Sequence, residues 1–251
     1  MNGPAAIELF REKLRAVVDS HALNDAEVLV TVKPLTPQEA IGDPLRRDYP
    51  IIEGKERVIE AEVSGSRGQA FTDSPVNYMG RLDEVMSMAL TAASDRAIFL
   101  AVSNAVLERL GIVEGTTHCK DESPELCATE IAASARRLGI RTIGLIGLNP
   151  AIADALIQEF GTINVLMTDL NPNSIGRQRS GVRIWDGRAK TAELIRSSDL
   201  IIATGTTLVN GTYDEIMHLT SSAGKRLVLY GITAAGFCGL MGRERWCFRD
   251  Q

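Results

Sequence analysis

The sequence has few of the features that mark membrane, secreted or nucleic-acid-binding proteins. None of its apolar runs reaches the roughly 18 residues that a membrane-spanning helix needs. The opening stretch MNGPAAIELFREKLR already contains acids and bases, unlike a signal peptide, so we expect a cytoplasmic protein. Only 5% of the residues are aromatic and the net charge is −5, so we do not expect nucleic acid or a membrane as a partner.

Familiar catalytic and metal-binding motifs are also missing. The chain contains no Ser-His-Asp order, no HExxH and no Walker sequence. Its glycine-containing turn is not GxGxxG, because Gly147 is followed by LNPA, and this weakens a dinucleotide hypothesis. Seven residues separate Cys119 from Cys127, whereas about two to four separate the paired ligands of a zinc finger.

What remains is an ordinary globular composition, with 45% apolar and 24% charged residues in 251. In the first half, residues 56–63 alternate apolar and charged side chains, and residues 68–72 follow after the turn SGSRG, which predicts a β-hairpin. Helices are predicted over about 81–91 and over 95–110. The first half is therefore predicted to be α+β.

The second half alternates short β-branched runs with helical patterns, which indicates parallel βαβ units. The predicted strands are 142–147, 163–169, 182–186, 199–205 and 226–232. We therefore expect an α/β protein in which a Rossmann-like parallel sheet follows a smaller α+β domain. The predicted domains are 1–112 and 124–251, with 113–123 as the linker.

The stretch THCKDESPELCA, residues 117–128, lies at this boundary. Ser123 is predicted to cap a helix with Pro124 in its first position, which places Cys127 near the helix N-terminus, where the dipole favours a thiolate. One interpretation is a solvated loop followed by a buried cysteine. The other is a metal or reactive-thiol site of Cys119 and Cys127, completed by other ligands. The candidates for completing it are His118, Cys238 and Cys247, the last two only if the C-terminal tail folds back.

Two loops of the Rossmann-like half carry the candidate cofactor site. In the first, Gly147, Asn149 and Pro150 lie between a strand and a helix, where backbone N–H groups can face an amino-acid or phosphate group. Asp169 follows 22 residues after Gly147, at the position of an acid that binds ribose hydroxyls. Asp186 ends the next strand, near the expected base. The alternative for each acid is a helix cap or a turn.

The second loop is ATGTTLVNGTYDEI, residues 203–216. Thr204 and Gly205 end the fourth strand on the edge where open α/β sheets bind ligands, so we assign them to cofactor binding. Thr206, Thr207 and Asn210 follow, and their hydroxyl and amide groups make them the predicted catalytic residues. A threonine-rich capping loop explains the same pattern without a ligand.

Together the stretches GQAFTDSP, SNAVLERLGI, HCKDESPELC, IGLIGLNPAIADAL and GTTLVNGT resemble the DUF4213/DUF364 family, from about residue 25 to the end. The resemblance implies a domain like the N-terminal domain of enolase, then a Rossmann-like domain, with the active site in the cleft between them. The family is named for heavy-metal chelation. The positions carried over are Phe71, Thr72, Asp73, Asn104, Gly147, Pro150, Thr206, Thr207, Asn210 and Thr212.

These observations leave three functional hypotheses. The first is an enzyme that binds an adenosyl ligand such as S-adenosylmethionine and a small-molecule substrate, for transfer or cyclisation in metallophore or other metal-related metabolism. The second is a metal-binding or metal-delivery protein that uses Cys119, Cys127 and the C-terminal cysteines. The third is a regulatory protein that binds a nucleoside without turnover. A homodimer is compatible with each of them.

Overall fold

The structure, a computed structural model, describes residues 3–21, 23 and 29–249. The remaining positions of the two predicted domains, including residues 24–28 and 250–251, lie outside the described residues. The fold is α/β, with one four-stranded antiparallel sheet and one seven-stranded, mainly parallel sheet. No helix in these described ranges is long and apolar enough to cross a membrane.

The four-stranded sheet is formed by the first half of the chain. Its strands and helices are α1 (Ala5–Ser20), β1 (Leu29–Pro34), α2 (Pro37–Ile41), α3 (Pro50–Glu53), β2 (Arg57–Val63), β3 (Ser66–Thr72), β4 (Tyr78–Arg81), α4 (Leu82–Met86) and α5 (Ala93–Arg109). The strand order is β3-β2-β1-β4. The predicted hairpin is confirmed, because β2 and β3 pair in antiparallel register from Arg57–Thr72 to Val63–Ser66.

Helix α5 is the centre of the molecule. Every residue from Arg96 to Leu107 is buried, as expected for a helix that is covered on all sides. One side packs on β3, where the absence of a side chain at Gly68 lets the helix backbone approach: a Cβ there would lie 2.3 Å from the Ala105 nitrogen. The other side contacts the helices of the second sheet, so one apolar core joins the two sheets.

The second half of the chain forms the Rossmann-like sheet. Its elements are α6 (Ser123–Arg137), β5 (Ile143–Ile146), α7 (Pro150–Phe160), β6 (Val165–Asp169), β7 (Gln178–Arg179), β8 (Val182–Asp186), α8 (Gly187–Ser197), β9 (Leu200–Thr204), α9 (Thr206–Asn210), α10 (Tyr213–Ser222), β10 (Arg226–Tyr230), α11 (Ala235–Met241) and β11 (Arg245–Trp246); single 3-10 turns lie at Thr162–Asn164 and Ile232–Ala234. All five predicted strands are present.

The strand order, β11-β10-β9-β5-β6-β8-β7, places the first strand of this half in the middle of the sheet. The chain moves outward from β5 through β6 to β8, then returns to β9 on the other side of β5. Among the strands of this sheet that lie in the described residues, only β7 is antiparallel to its neighbour. The sheet therefore has the Rossmann order, and its topological switch point lies between the carboxyl ends of β5 and β9.

Three local predictions were wrong. The helix expected over 81–91 ends at Met86, and Leu90 adopts a positive φ of 55°. The stretch expected as a loop after β9 begins with the short helix α9, which Gly211 ends with a φ of 81°. Ser123 is the first residue of α6 rather than its cap, because Glu122 occupies the cap position.

Candidate functional site

The loops that follow β5, β9 and β10 meet at the switch point. Gly147 has a φ of 83°, its N–H donates to the Thr168 carbonyl at 2.9 Å, and its own carbonyl accepts the Tyr230 hydroxyl at 2.9 Å. A Cβ at Gly147 would lie 2.4 Å from Cγ2 of Thr204. Glycine is therefore required here both for the backbone conformation and for the close approach of β9.

The N-terminus of α7 is already occupied by bonds within the chain. The Asn149 side chain accepts the N–H groups of Ala151 and Ile152 at 3.0 and 3.1 Å. Leu148 donates its N–H to Oδ2 of Asp169 at 2.6 Å, and Pro150 has no N–H. Asn149 and Pro150 thus have clear roles in starting the helix, and the turn presents few donors to the phosphate or carboxylate that the sequence pattern suggests.

Asp169 ends β6 and braces the same turn. Its Oδ1 accepts the Asn171 N–H at 2.6 Å, and its Oδ2 accepts that of Leu148. Burial raises the pKa of Asp169, and these N–H groups counter only part of the effect. The Leu170 N–H also bonds this carboxylate, so only part of its capacity to accept hydrogen bonds remains, and ribose binding stays a prediction.

Asp186, the second predicted ligand acid, is the N-cap of α8. Its side chain accepts the Arg188 N–H at 2.9 Å. A helix cap was the alternative to ligand binding that the sequence left open for this acid. The bond to Arg188 gives Asp186 a structural role that needs no ligand.

The β9–α9 loop packs closely against the loop after β10. The Gly205 N–H donates to the Tyr230 carbonyl at 2.8 Å, and a Cβ at Gly205 would lie 2.9 Å from the Ala234 nitrogen. The Thr206 hydroxyl donates to that of Thr204 at 3.1 Å, and both residues are half-buried. Thr204 and Thr206 are therefore the threonines of this loop that lie nearest to the switch point.

Thr207 and Asn210 have structural partners. Thr207 is 2% exposed and donates its hydroxyl to the Thr204 carbonyl at 2.8 Å. The Asn210 side chain accepts the N–H and the hydroxyl of Thr212 at 3.0 and 2.7 Å. These contacts hold the two ends of α9. Catalysis by Thr207 and Asn210 stays a prediction, and burial makes Thr207 the weaker candidate.

The open end of the hairpin contributes carboxylates to the same region. The pairing of Arg57 with Thr72 places Glu56 beside Asp73. Glu56 is half-buried, and burial, followed by the negative charges of Asp169 and Asp73, raises its pKa to about 7. Burial is also the main cause that raises the pKa of Tyr230, to which Glu56 and Asp169 add. We call Glu56, Asp73, Asp169 and Tyr230 the acidic cluster.

Sequence reasoning missed Glu56. It lies in the polar stretch EGKER, at the first position of the predicted strand 56–63, where a charged residue normally faces solvent. Its half-buried position results from the packing of the hairpin against the carboxyl edge of the other sheet. Asp73 was included only through the family resemblance, and no local pattern distinguishes it.

The other carried-over residues join the two sheets. Asn104 is fully buried, its amide donates to the carbonyls of Gln69 and Ile232 at 2.9 and 3.0 Å, and its oxygen accepts the Gly236 N–H at 2.7 Å. The Phe71 N–H donates to the Thr233 hydroxyl at 2.9 Å. These bonds hold the hairpin at a set distance from the loop after Tyr230.

The buried Thr72 supports the adjoining turn. Its hydroxyl accepts the Ser74 N–H at 3.1 Å, directly beyond Asp73. This bond helps to set the backbone course at the hairpin end of the acidic cluster.

The cysteine-rich linker has one feature of the predicted metal site. Cys127 is the fifth residue of α6, and its Sγ accepts the Phe248 N–H at 3.4 Å, so the C-terminal tail does return to this helix. Cys119 is buried, and His118 packs edge-on against Phe71 with ring centroids 5.3 Å apart. Within the part of the chain that the structure describes, no three or more His, Cys, Asp or Glu side chains are grouped to hold a metal ion.

Two surface hollows lie away from the acidic cluster. One, of about 360 Å³, runs beside α1; the other, of about 610 Å³, lies between the loop at Leu45–Asp48 and the start of α6. Both are lined mainly by charged side chains, and in the second Arg46 forms ion pairs with Asp48 and Glu125. We favour the acidic cluster as the candidate site because Glu56 and Asp169 are half-buried, the pKa values of Glu56, Asp169 and Tyr230 are raised, and the cluster lies at the carboxyl edge of the sheet.

Comparison with known proteins agrees with this architecture. The family model for DUF364, described as "Putative heavy-metal chelation", matches residues 131–238. Over this segment, which is less than half of the chain, the protein is similar to the DUF364 family. The matched segment begins within α6 and ends within α11, so it contains the switch point and both of its loops. No curated protein matches the chain.

Two solved structures of DUF364 proteins are similar to this chain. One, from Pyrococcus horikoshii, is 17% identical with a TM-score of 0.50, over 90% of this chain and 80% of that chain, and is described as a protein of unknown function. A second, from Desulfitobacterium hafniense DCB-2 and also of unknown function, is 12% identical with a TM-score of 0.48, over 92% and 83% of the two chains. At this identity the first comparison supports the fold alone.

Proposed function

We propose that this protein is an enzyme that binds a phosphate-free adenosyl ligand, such as S-adenosylmethionine, at the switch point beside the acidic cluster. The observation that carries the proposal is the combination of three carboxyl groups and the Tyr230 hydroxyl at the ligand edge of a Rossmann-ordered sheet. Glu56 and Asp169 are half-buried, and no cation is among the causes that shift their pKa values. Such carboxyl groups at a ligand edge are more typical of a functional site than of a stabilising one.

The charge of the site selects among adenosyl ligands. The neighbouring charges that act on Glu56 and Tyr230 are all negative, so a phosphate would be repelled. The N–H groups that hold pyrophosphate in dinucleotide-binding proteins are here bonded to Asn149 and Asp169. S-adenosylmethionine carries a sulfonium, an ammonium group and ribose hydroxyls, and it has no phosphate. An acidic site favours it over ATP or NAD.

In this proposal Asp169 accepts ribose hydroxyls through its remaining acceptor positions, and Thr204 and Thr206 face the reacting substrate. Transfer or cyclisation needs mainly orientation and charge stabilisation, which this edge can supply without a catalytic triad. We further propose a small-molecule substrate from metallophore or other metal-related metabolism, a cytoplasmic location and a homodimer.

A second candidate function is metal binding at the linker. The contact between the Phe248 N–H and Cys127 supports it, because the tail that carries Cys247 reaches the start of α6. Thiolates would select Zn²⁺ or Cu(I), and a closed zinc site needs about four ligands. Elemental analysis tests this function: about one equivalent of metal, lost in the Cys119→Ser, Cys127→Ser double variant, would place it ahead of the enzyme hypothesis.

Calorimetry tests the first function. Wild-type protein should bind S-adenosylmethionine or S-adenosylhomocysteine more tightly than ATP. Asp169→Asn should weaken binding by about 1–3 kcal/mol, the usual effect of losing hydrogen bonds to a charged group. Asp199→Asn is the matched control, since Asp199 lies just before β9 at the opposite edge of the same sheet. Tighter binding of ATP, or equal affinity of the Asp169 variant, would contradict the proposal.

A further inference from the structure

Glu56 lies in a half-buried position between the two sheets, unlike a glutamate on the protein surface. It is the last residue before β2, and the strand register places it next to Asp73 at the hairpin's open end. That end faces the carboxyl edge of the Rossmann-like sheet. Phe71, the residue before Thr72, donates its N–H to the hydroxyl of Thr233, which lies just after β10. Glu56 is thereby half-buried between the two sheets.

The charged groups around Glu56 come from three elements. Asp73 follows β3, Asp169 ends β6 and Tyr230 ends β10. The cations next to Glu56 in sequence do not neutralise it. Lys55 is exposed, and Nη1 of Arg57 donates to the backbone carbonyls of Gly54 and Glu56 at 3.0 and 2.7 Å.

We propose that Glu56 is the catalytic general base of this site, and that the substrate presents an ionisable N–H or O–H group to its carboxylate. This inference rests on the proposed function and adds to it the residue that moves the proton and the chemical class of the substrate.

The proton transfer is simple to describe. One carboxylate oxygen of Glu56 takes the proton, and the substrate nitrogen or oxygen keeps the electron pair, which makes it a nucleophile. The neutral acid then returns the proton to water. A base is most effective when its pKa is near the working pH, and burial together with Asp169 and Asp73 raises the pKa of Glu56 to about 7. Tyr230 is held by its bond to the Gly147 carbonyl and stays protonated.

The first test needs no substrate. A small diazo ester labels a carboxyl group in its protonated form: the diazo carbon takes the proton, and the carboxylate displaces dinitrogen to leave an ester. Peptide mapping should find Glu56 labelled at pH 6, with labelling falling roughly tenfold by pH 8. Asp169→Asn should lower the midpoint of this fall, because it removes a repelling charge.

Two variants control the labelling. Glu56→Gln should abolish the signal, whereas Glu62→Gln, which removes an exposed carboxyl group from the same strand, should leave it unchanged. If Glu56 is labelled no faster than Glu62 at pH 6, the inference is wrong.

Calorimetry with S-adenosylmethionine in two buffers of different ionisation enthalpy then tests whether Glu56 meets the ligand. A bound cation favours the carboxylate, so the wild type should release roughly half a proton at pH 7 and Glu56→Gln none. Binding with equal proton release in both proteins would overturn the catalytic contact. If S-adenosylmethionine does not bind, the adenosyl function fails, and the labelling still decides the ionisation of Glu56.

Discussion

Two clusters of carboxyl groups in this molecule have opposite electrostatics. The acidic cluster brings together Glu56, Asp73, Asp169 and Tyr230, and its charges are all negative. The second cluster, which we call the ionic strap, consists of Arg46, Asp48, Glu125, Asp154 and Arg179. In the strap, every carboxylate faces a guanidinium.

The difference appears in the ionisation of the aspartates. In the strap, burial raises the pKa of Asp48 and Asp154, but hydrogen bonds and charge from Arg179 and Arg46 outweigh it and lower both values. Arg46 contacts Asp154 at 3.1 Å, and the Arg179 Nε donates to the same residue at 2.8 Å. In the acidic cluster no cation opposes burial, and hydrogen bonds to Asp169 and Tyr230 counter only part of its effect on their pKa values. The comparison shows that burial alone does not set the pKa; the partner does.

The two clusters also differ in what they do for the fold. The strap fastens the loop before α3 to α6, α7 and β7, and Tyr49 adds a hydroxyl bond to Glu125 at 2.9 Å. The acidic cluster has no comparable ion pairs to stabilise the fold, and its raised pKa values destabilise the folded state near neutral pH. A destabilising group at the ligand edge of the sheet is typical of a functional site.

The largest expected effect comes from Glu56→Gln. The pKa of Glu56 is about 7 in the folded protein, against 4.5 for an unperturbed glutamate, so the folded state keeps a proton that the unfolded state has lost. Wild-type stability should therefore fall as pH rises from 4.5 to 7, by up to about 3 kcal/mol. Glu56→Gln should lack this slope and be more stable than wild type at pH 8. Denaturant unfolding across pH measures the difference; parallel curves would contradict it.

Arg179→Met should have the opposite effect. It leaves Asp48 and Asp154 half-buried with only Arg46 as a cation, and should destabilise the protein by about 1–3 kcal/mol at pH 7. Because the pKa values of both aspartates are lowered in the fold, this contribution is present above pH ~4 and is lost as pH falls through the folded values. The difference in unfolding free energy between wild type and Arg179→Met should therefore decrease as the pH is lowered. A deficit that is constant with pH would mean that lost packing, rather than charge, explains it.

The smallest expected effect is a difference in how salt changes the stability of variants in the two clusters. Raising NaCl to about 1 M should reduce the Arg179→Met deficit by a few tenths of a kcal/mol, because the strap's ion pairs are partly exposed. The Glu56→Gln difference should change less, since burial is the first cause of its raised pKa. Equal salt dependence of the two differences would show that their charges are screened alike.

The sheet and its switch point could be predicted from sequence, because strand periodicity and the spacing from Gly147 to Asp169 are local signals. The functions of single residues could not. Asp186 and Asn149 look identical in sequence whether they cap helices or bind ligands, and the structure shows both as caps. The influence of Asp169 on Glu56, and the bonds of Arg46 to Glu125 and of Arg179 to Asp48, join residues more than 75 positions apart in sequence, for which no local pattern exists.

The central claim is that the acidic cluster holds a carboxyl group that titrates near neutral pH while the strap does not. Side-chain carboxyl NMR of the intact protein, with resonances assigned through Glu56→Gln, Asp48→Asn and Asp154→Asn, measures this directly. Glu56 should titrate near pH 7, and Asp48 and Asp154 should titrate below the usual range of aspartate. Titration of Glu56 in the ordinary glutamate range, alongside the strap aspartates, would contradict it.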